Sequence, residues 1–221
     1  MIVVTFNVQH GRRPDGEVDV DALAQACAGF GADVLALQEV DDFVARSGRV
    51  DIAALVAEAC GMTFVFGEAT RLGKRGRYGN ALLVRDSEIT DVDVVALPHS
   101  PSEEPRCAIV ARARDVTIAA THLGIRGDAP PQLPVVVRAL CERPGPHLLL
   151  GDLNLERPDV APLRLVDAPP AFPAHRPRRT IDHVALGDGL RPTAVSVLPR
   201  QPVSDHRPLR VDVASAGTPP R

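Results

Sequence analysis

The chain has no tryptophan, one tyrosine, two methionines and a single lysine, Lys74, among its 221 residues. A core of any size must therefore be aliphatic, and Val, Leu and Ala supply most of the apolar positions. Cysteine is sparse and scattered: Cys27, Cys60, Cys107 and Cys141 form no C-x-x-C pair and lie in apolar contexts. That setting argues against a metal cluster or a redox motif and for reduced, buried thiols in a cytoplasmic protein. No apolar run approaches a membrane span, and the opening IVVTFNV lacks the basic leader of a secretory signal. A soluble, cytoplasmic chain is predicted, without stable membrane insertion and with no obligate protein partner evident. A large charge of either sign is also missing. A net charge of -3 excludes a protein that coats nucleic acid by bulk attraction, but leaves room for a local basic site.

What is present is a long series of short apolar runs. MIVVTFNV, ADVLALQEV, MTFVFGE, YGNALLVR, ITDVDVVALP, RCAIVARAR, DVTIAATHLG, HLLLGDLNL, TIDHVALG, TAVSVLP and HRPLRVDV read as strands with turn signals between them. Two stretches have helical spacing and clear ends. DVDALAQACAGFG carries Asp19 as cap and Gly29 or Gly31 as stop, and RVDIAALVAEACG ends at Gly61. PQLPVVVRALCER is a third candidate helix. The Pro-rich stretch from Ala161 to Arg179 reads as one long surface loop. No repeat or linker divides the chain, so a single domain over 1–213 is expected, with a mobile tail over 214–221. Strict βαβ alternation is absent. Many strands with few helices suggest two sheets packed face to face and flanked by helices, an α/β fold.

Polar residues recur at the strand ends. Asn7 closes IVVTF, Glu39 follows VLALQ, His122 closes VTIAAT, and Asp152 and Asn154 follow LLLG. Asp182 opens IDHVAL, and Ser204, Asp205 and His206 precede the last strand. Strands are rigid enough to deliver such groups into one shared cleft. Taken alone, GDLN also suits a turn, since Gly, Asp and Asn are turn formers. Carboxylate and carboxamide oxygens suit a hard cation such as Mg²⁺. His183 faces away from Asp182 if the strand is extended, and His10, His99, His147 and His175 carry no motif.

The ordered set TFNVQHG, LALQEV, RYGNALLVR, THLG, LLLGDLN, RTIDHVAL and VSDHRPL resembles the endonuclease/exonuclease/phosphatase superfamily from Thr5 to Leu209. The resemblance implies a DNase I-like four-layer α/β sandwich with two central, mostly antiparallel sheets. It also implies phosphoester hydrolysis with Mg²⁺, for which Mn²⁺ could substitute. By that resemblance Glu39 is the main metal ligand, with Asn7 beside it and Asp205 supporting the metal side. Asp152 positions or deprotonates water, Asn154 holds a phosphate oxygen and His122 donates to the phosphate. His206 contacts the phosphate and Asp182 orients it. Asn80 matches a supporting position. Two groups, Asp152 and His206, remain able to activate the water.

Two basic runs lead into these motifs. RLGKRGR ends at Arg77, and PAHRPRRTID contains Arg178; both could clamp an anionic substrate. AP endonucleases of the superfamily generally carry Tyr where His122 stands, which lowers an abasic-site role. The leading expectation is a metal-dependent phosphodiesterase, or phosphomonoesterase, acting on a phosphorylated small molecule, lipid or nucleic acid. An endo- or exonuclease is the alternative, and a silent phosphate-binding scaffold comes third.

Overall fold

Val3 and Val4, adjacent in the first strand, point to opposite faces and enter different apolar cores. That alternation, repeated along the chain, builds the architecture. The structure, a computed structural model, describes residues 1–215, so most of the expected tail lies outside the described residues. In chain order the elements are β1 (Ile2–Asn7), α1 (Val20–Ala28), β2 (Val34–Asp42), α2 (Ile52–Cys60) and β3 (Met62–Leu72). They continue with β4 (Gly76–Arg85), β5 (Thr90–Ala96), β6 (Cys107–Ala113), β7 (Val116–His122) and α3 (Ala129–Cys141). The series ends with β8 (His147–Asp152), β9 (Arg164–Leu165), β10 (Asp182–Leu186), β11 (Leu190–Val197) and β12 (Leu209–Ser215).

Two six-stranded sheets result, in the orders β11-β12-β1-β2-β4-β3 and β5-β6-β7-β8-β10-β9. Each is antiparallel except at its centre, where β1 runs parallel to β2 and β7 parallel to β8. Those two pairs need crossovers, supplied by α1 and α3. Between the sheets pack Val3, Ala36, Leu82, Ile109, Ile118, Leu148 and Val184. Outside the first sheet, Leu23 and Cys27 of α1 and Val56 of α2 cover Val4, Leu35 and Leu83. Outside the second, Leu133, Val136 and Leu140 of α3 cover Ala119 and Leu149. The fold is the helix–sheet–sheet–helix sandwich expected from the sequence. Among the largest fully buried side chains, Phe6 is the one aromatic, as the composition requires.

The helix ends obey local chemistry. Asp19 accepts from Ala22 N at 2.9 Å and Asp51 from Ala54 N at 2.9 Å, each satisfying an otherwise orphaned donor. Gly61 closes α2 at φ 63, where a side chain would be strained. In α3, Pro130 and Pro131 occupy the first turn, where their missing donors cost nothing.

Two expectations change. The stretch from Ala161 to Arg179 is more than a surface loop: it contains β9, and Leu163, Val166, Ala171 and Ala174 are buried. The backbone of β9 pairs with β10 at Ala185 and Leu186, so that part of β10 is not an open edge. Ala214 and Ser215, placed in the tail from sequence, pair with Arg191 and Leu190 in the last strand. Among the described residues, no helix is long and apolar enough to cross a membrane.

Candidate active site

Along the inter-sheet face, five strands each carry a polar residue to the same edge. The series are Val3–Thr5–Asn7, Leu148–Leu150–Asp152 and Ile118–Ala120–His122, and in reverse Leu186–Val184–Asp182 and Val84–Leu82–Asn80. Side-chain alternation carries each polar group into the mouth of the sandwich rather than to an outer face. Glu39 breaks the alternation. The β2–β4 register shifts between Leu37 and Val40, and Glu39 has φ 57. This bulge turns its carboxylate inward, where it accepts from Asn7 Nδ2 at 3.0 Å.

Gly151 is a strand residue, not a turn. A Cβ there would stand 2.0 Å from the Thr121 carbonyl oxygen on the adjacent β7. The glycine permits the close parallel pairing that sets His122 opposite Asp152. On its other side β8 pairs with β10, so Asp182 also stands opposite Asp152. Two buried carboxylates face each other across the strands, and His206 lies against both. Its Nδ1 is 2.9 Å from Asp182 Oδ2, and its Nε2 is 3.6 Å from Asp152 Oδ2. Asp152 Oδ2 also accepts from Asn7 Nδ2 at 3.1 Å and lies 3.5 Å from His122 Nε2. Its Oδ1 accepts the backbone N–H of Asn154 at 3.1 Å. The Asn154 amide donates to Leu123 O at 2.9 Å and lies 3.2 Å from His122 Nε2.

These contacts divide the protonation states. Burial lowers the His206 pKa most, but Asp182, Asp152 and Asp205 together outweigh it and raise it to about 10. His206 is therefore an imidazolium at neutral pH. Burial first, then Asp182, pushes Asp152 up to about 7, against the pull of His206. Burial, with the charges of Arg106 and His206, holds His122 well below the usual histidine range. One histidine is charged and the other neutral, although both approach the same carboxylate oxygen.

The remaining sequence candidates are placed as follows. Asp205 is exposed beside this group, and its charge, after burial, raises the Glu39 pKa. Asn80 is buried in the same polar row and donates to Cys107 O at 2.9 Å. Arg77 is spent on an ion pair with Asp42 and lies over the Phe66 ring. Asp41 is likewise held by Arg46 at 2.8 Å. Arg178 is exposed, and its neighbour Arg179 pairs with Glu156. His183 faces the other side of β10, where Nε2 is 2.7 Å from Leu155 O.

Phe172 and Arg106 were not among the sequence candidates, and Ser204, noted there only for its place before the last strand, takes a linking role. Phe172, from the supposed surface loop, packs its ring 4.6 Å from that of His206. Ser204 Oγ donates to Asn7 O at 2.6 Å and accepts from His206 N at 3.0 Å, tying the last motif to the first. Arg106 is buried at the start of β6, pairs with Glu104 at 3.0 Å and leaves Nε without a partner among the described residues. Its charge reaches Glu39 and His122. Only the proline-flanked position just before a strand marked Arg106 in the sequence, and many arginines share such settings.

Two groups could hold a divalent cation. Ligand atoms of Asp152, Asp182 and His206 lie within 4.8 Å of one another. In that group His206 already spends Nδ1 on Asp182. The Glu39 carboxylate is the better fit: burial, then Asp205, raises its pKa, and Asn7 is its one hydrogen-bond donor among the described residues. A hard cation relieves such a group. Asn7 Oδ1 is occupied by Gln9 N at 3.1 Å, so Asn7 presents its NH₂ to the carboxylates.

Comparison with known proteins identifies the family and the fold. The model of the endonuclease/exonuclease/phosphatase family matches residues 4–206. An endonuclease/exonuclease/phosphatase structure from Beutenbergia cavernae superposes with a TM-score of 0.79 at 25% identity, covering 98% of this chain and 72% of that one. A mannosyl-6-phosphatase from Bacteroides thetaiotaomicron gives a TM-score of 0.76 at 15% identity, covering 97% and 99%. The human Nocturnin catalytic domain with bound sulfate gives 0.74 at 16% identity, covering 98% and 94%. At the latter two identities the likeness is one of fold. No curated protein matches the sequence.

Proposed function

The chain belongs to the endonuclease/exonuclease/phosphatase family, and on that premise we propose that it is a divalent-metal-dependent phosphoesterase hydrolysing a phosphodiester by in-line attack of water. One observation carries the reading: Asp152 Oδ2 has an imidazolium, a neutral imidazole and a carboxamide within 3.6 Å. A phosphoryl group needs a base for its water and cationic donors for its equatorial oxygens, and this cluster offers both.

Asp152, with a pKa of about 7, is the general base. His206 already carries its proton and so cannot serve as one; it donates Nε2–H to a phosphate oxygen. Asp182 holds the His206 ring by Nδ1 and keeps it charged. Both Nδ2 hydrogens of Asn154 are engaged, one by Leu123 O and one by the unprotonated Nε2 of His122, so this amide fixes the His122 ring at the edge of the site. Arg106 adds positive potential from behind. Glu39, with Asp205 near, would hold Mg²⁺ or Mn²⁺, which would supply Lewis-acid polarisation of the phosphoryl oxygen and charge stabilisation for the leaving alkoxide.

The deciding experiment is a metal-supplemented screen of phosphodiesters, phosphomonoesters, phospholipids and nucleic acids. Hydrolysis of at least one class is expected, abolished by chelator and by Asp152→Asn. Cleavage confined to polynucleotides, with steep salt dependence, would favour the nuclease alternative. Turnover of none, or full activity in chelator, would refute the proposal.

A further inference from the structure

Beside the site, the β1–α1 loop, the loop bearing Phe172 and the segment before β12 converge on a pocket of about 270 Å³. Gln9, Ser204 and Asp205 form its inner wall. Gln9 N and Ser204 Oγ both hydrogen-bond to Asn7, and Ser204 also accepts from His206 N. The pocket therefore shares its wall with the polar row described above. Three arginines, Arg12, Arg13 and Arg200, line the rest with His175, and Asp205 is the one carboxylate among the lining residues.

The arginines are not equally engaged. Arg13 is shared between Asp15 at 3.4 Å and Asp19 at 3.5 Å. Arg12 and Arg200 come from segments far apart in sequence and form no ion pair among the described residues. Both are exposed, and two guanidiniums without carboxylate partners lining one concavity leave it attractive to an anion. Guanidinium forks match phosphate oxygens bidentately, and a concave wall weakens solvent screening. The overall charge of -3 makes this local excess a property of the pocket, not of the whole surface.

We propose that this pocket is a subsite for a second phosphate group of the same substrate. Arg12 and Arg200 grip that phosphate while the scissile one lies at Asp152 and His206. The substrate class is thus a bis-phosphorylated molecule, such as a nucleotide with a flanking phosphate or a sugar bisphosphate. The proposal rests on the phosphoesterase reading for the place of the first phosphate.

Calorimetric binding tests it independently of turnover. Thymidine 5′-phosphate is compared with thymidine 3′,5′-bisphosphate, and glucose 1-phosphate with glucose 1,6-bisphosphate, all with Ca²⁺ present. In the wild-type protein at least one bisphosphate is expected to bind tenfold or more tightly than its monophosphate, and the responding pair identifies a nucleotide or a sugar. The double variant Arg12→Gln/Arg200→Gln, with an unchanged melting temperature, should bring the ratio to within about twofold. A ratio near one for both pairs in the wild type, or a preference that survives the double variant, overturns the subsite. If the screen above finds no hydrolysis while the preference is present and lost in the variant, the phosphoesterase reading fails and the subsite stands.

Discussion

The two oxygens of Asp152 do different work. Oδ1 is tied to the Asn154 backbone and holds the chain, whereas Oδ2 faces the histidines and Asn7. Asp152→Asn preserves shape and can keep the first role while removing the charge and basicity of the second. Its folded pKa of about 7 exceeds the unfolded value near 4. The native state thus binds the extra proton between those values, and this group costs stability as pH rises through that window. The variant is expected to melt at or above the wild-type temperature at pH 7, with turnover lower by about 10² or more. Unchanged turnover in a folded variant would show that Asp152 is not the base.

His206 and Asp182 form one unit. Asp182 is the largest of the three carboxylate influences that hold the imidazolium against burial, so its loss lowers the His206 pKa and frees the ring. Asp182→Asn and His206→Ala should each reduce kcat/KM by about 10²-fold or more. The double variant should be little worse than His206→Ala, because both changes remove the same donor. Fully multiplicative losses, measured in a double-mutant cycle, would show that the residues act independently.

At the scale of elements, the site depends on two departures from regular strand geometry. The β2 bulge re-aims Glu39, and the bare Gly151 lets β8 approach β7. Gly151→Ala would drive a methyl group into the Thr121 backbone carbonyl, which cannot move aside as a flexible side chain could. A loss of at least about 2 kcal/mol in urea unfolding is expected, from overpacking within a paired strand. A turn glycine in open space would show a far smaller effect, so a change near zero would contradict the pairing. Helix ends are more local. Asp51→Ala should cost about 1 kcal/mol through the lost cap, with turnover unchanged.

For the whole molecule, the sandwich brings the two sheets together so that carboxylates from both crowd one edge. A cation that binds only the folded protein raises stability by mass action. Saturating Mg²⁺ should therefore raise the melting temperature, and chelator should reverse it. Glu39→Gln should lose most of that shift and need much more metal for turnover. A melting temperature indifferent to metal in the wild type would refute Glu39 as a ligand.

The sequence determined the strands, the helix caps at Asp19 and Asp51 and the set of polar strand ends, because alternation, capping and turn chemistry act over a few residues. The ordered motifs were enough to anticipate the four-layer sandwich and to nominate Asn7, Glu39, Asp152, Asp182 and His206 as one group. Tertiary structure alone decided which of the charged residues are free. Arg77 and Asp42 are 35 residues apart and meet only through the β2–β4 pairing, so no local pattern could show that this arginine is engaged. Arg106 stands just before β6 and is buried in the folded chain, which no local pattern in the sequence shows. Protonation was also beyond the sequence. His122 and His206 are the same residue type, yet burial and the Arg106 charge hold one neutral, and the other is charged beside two aspartates. Burial and nearby charge set that difference, and both are products of long-range packing.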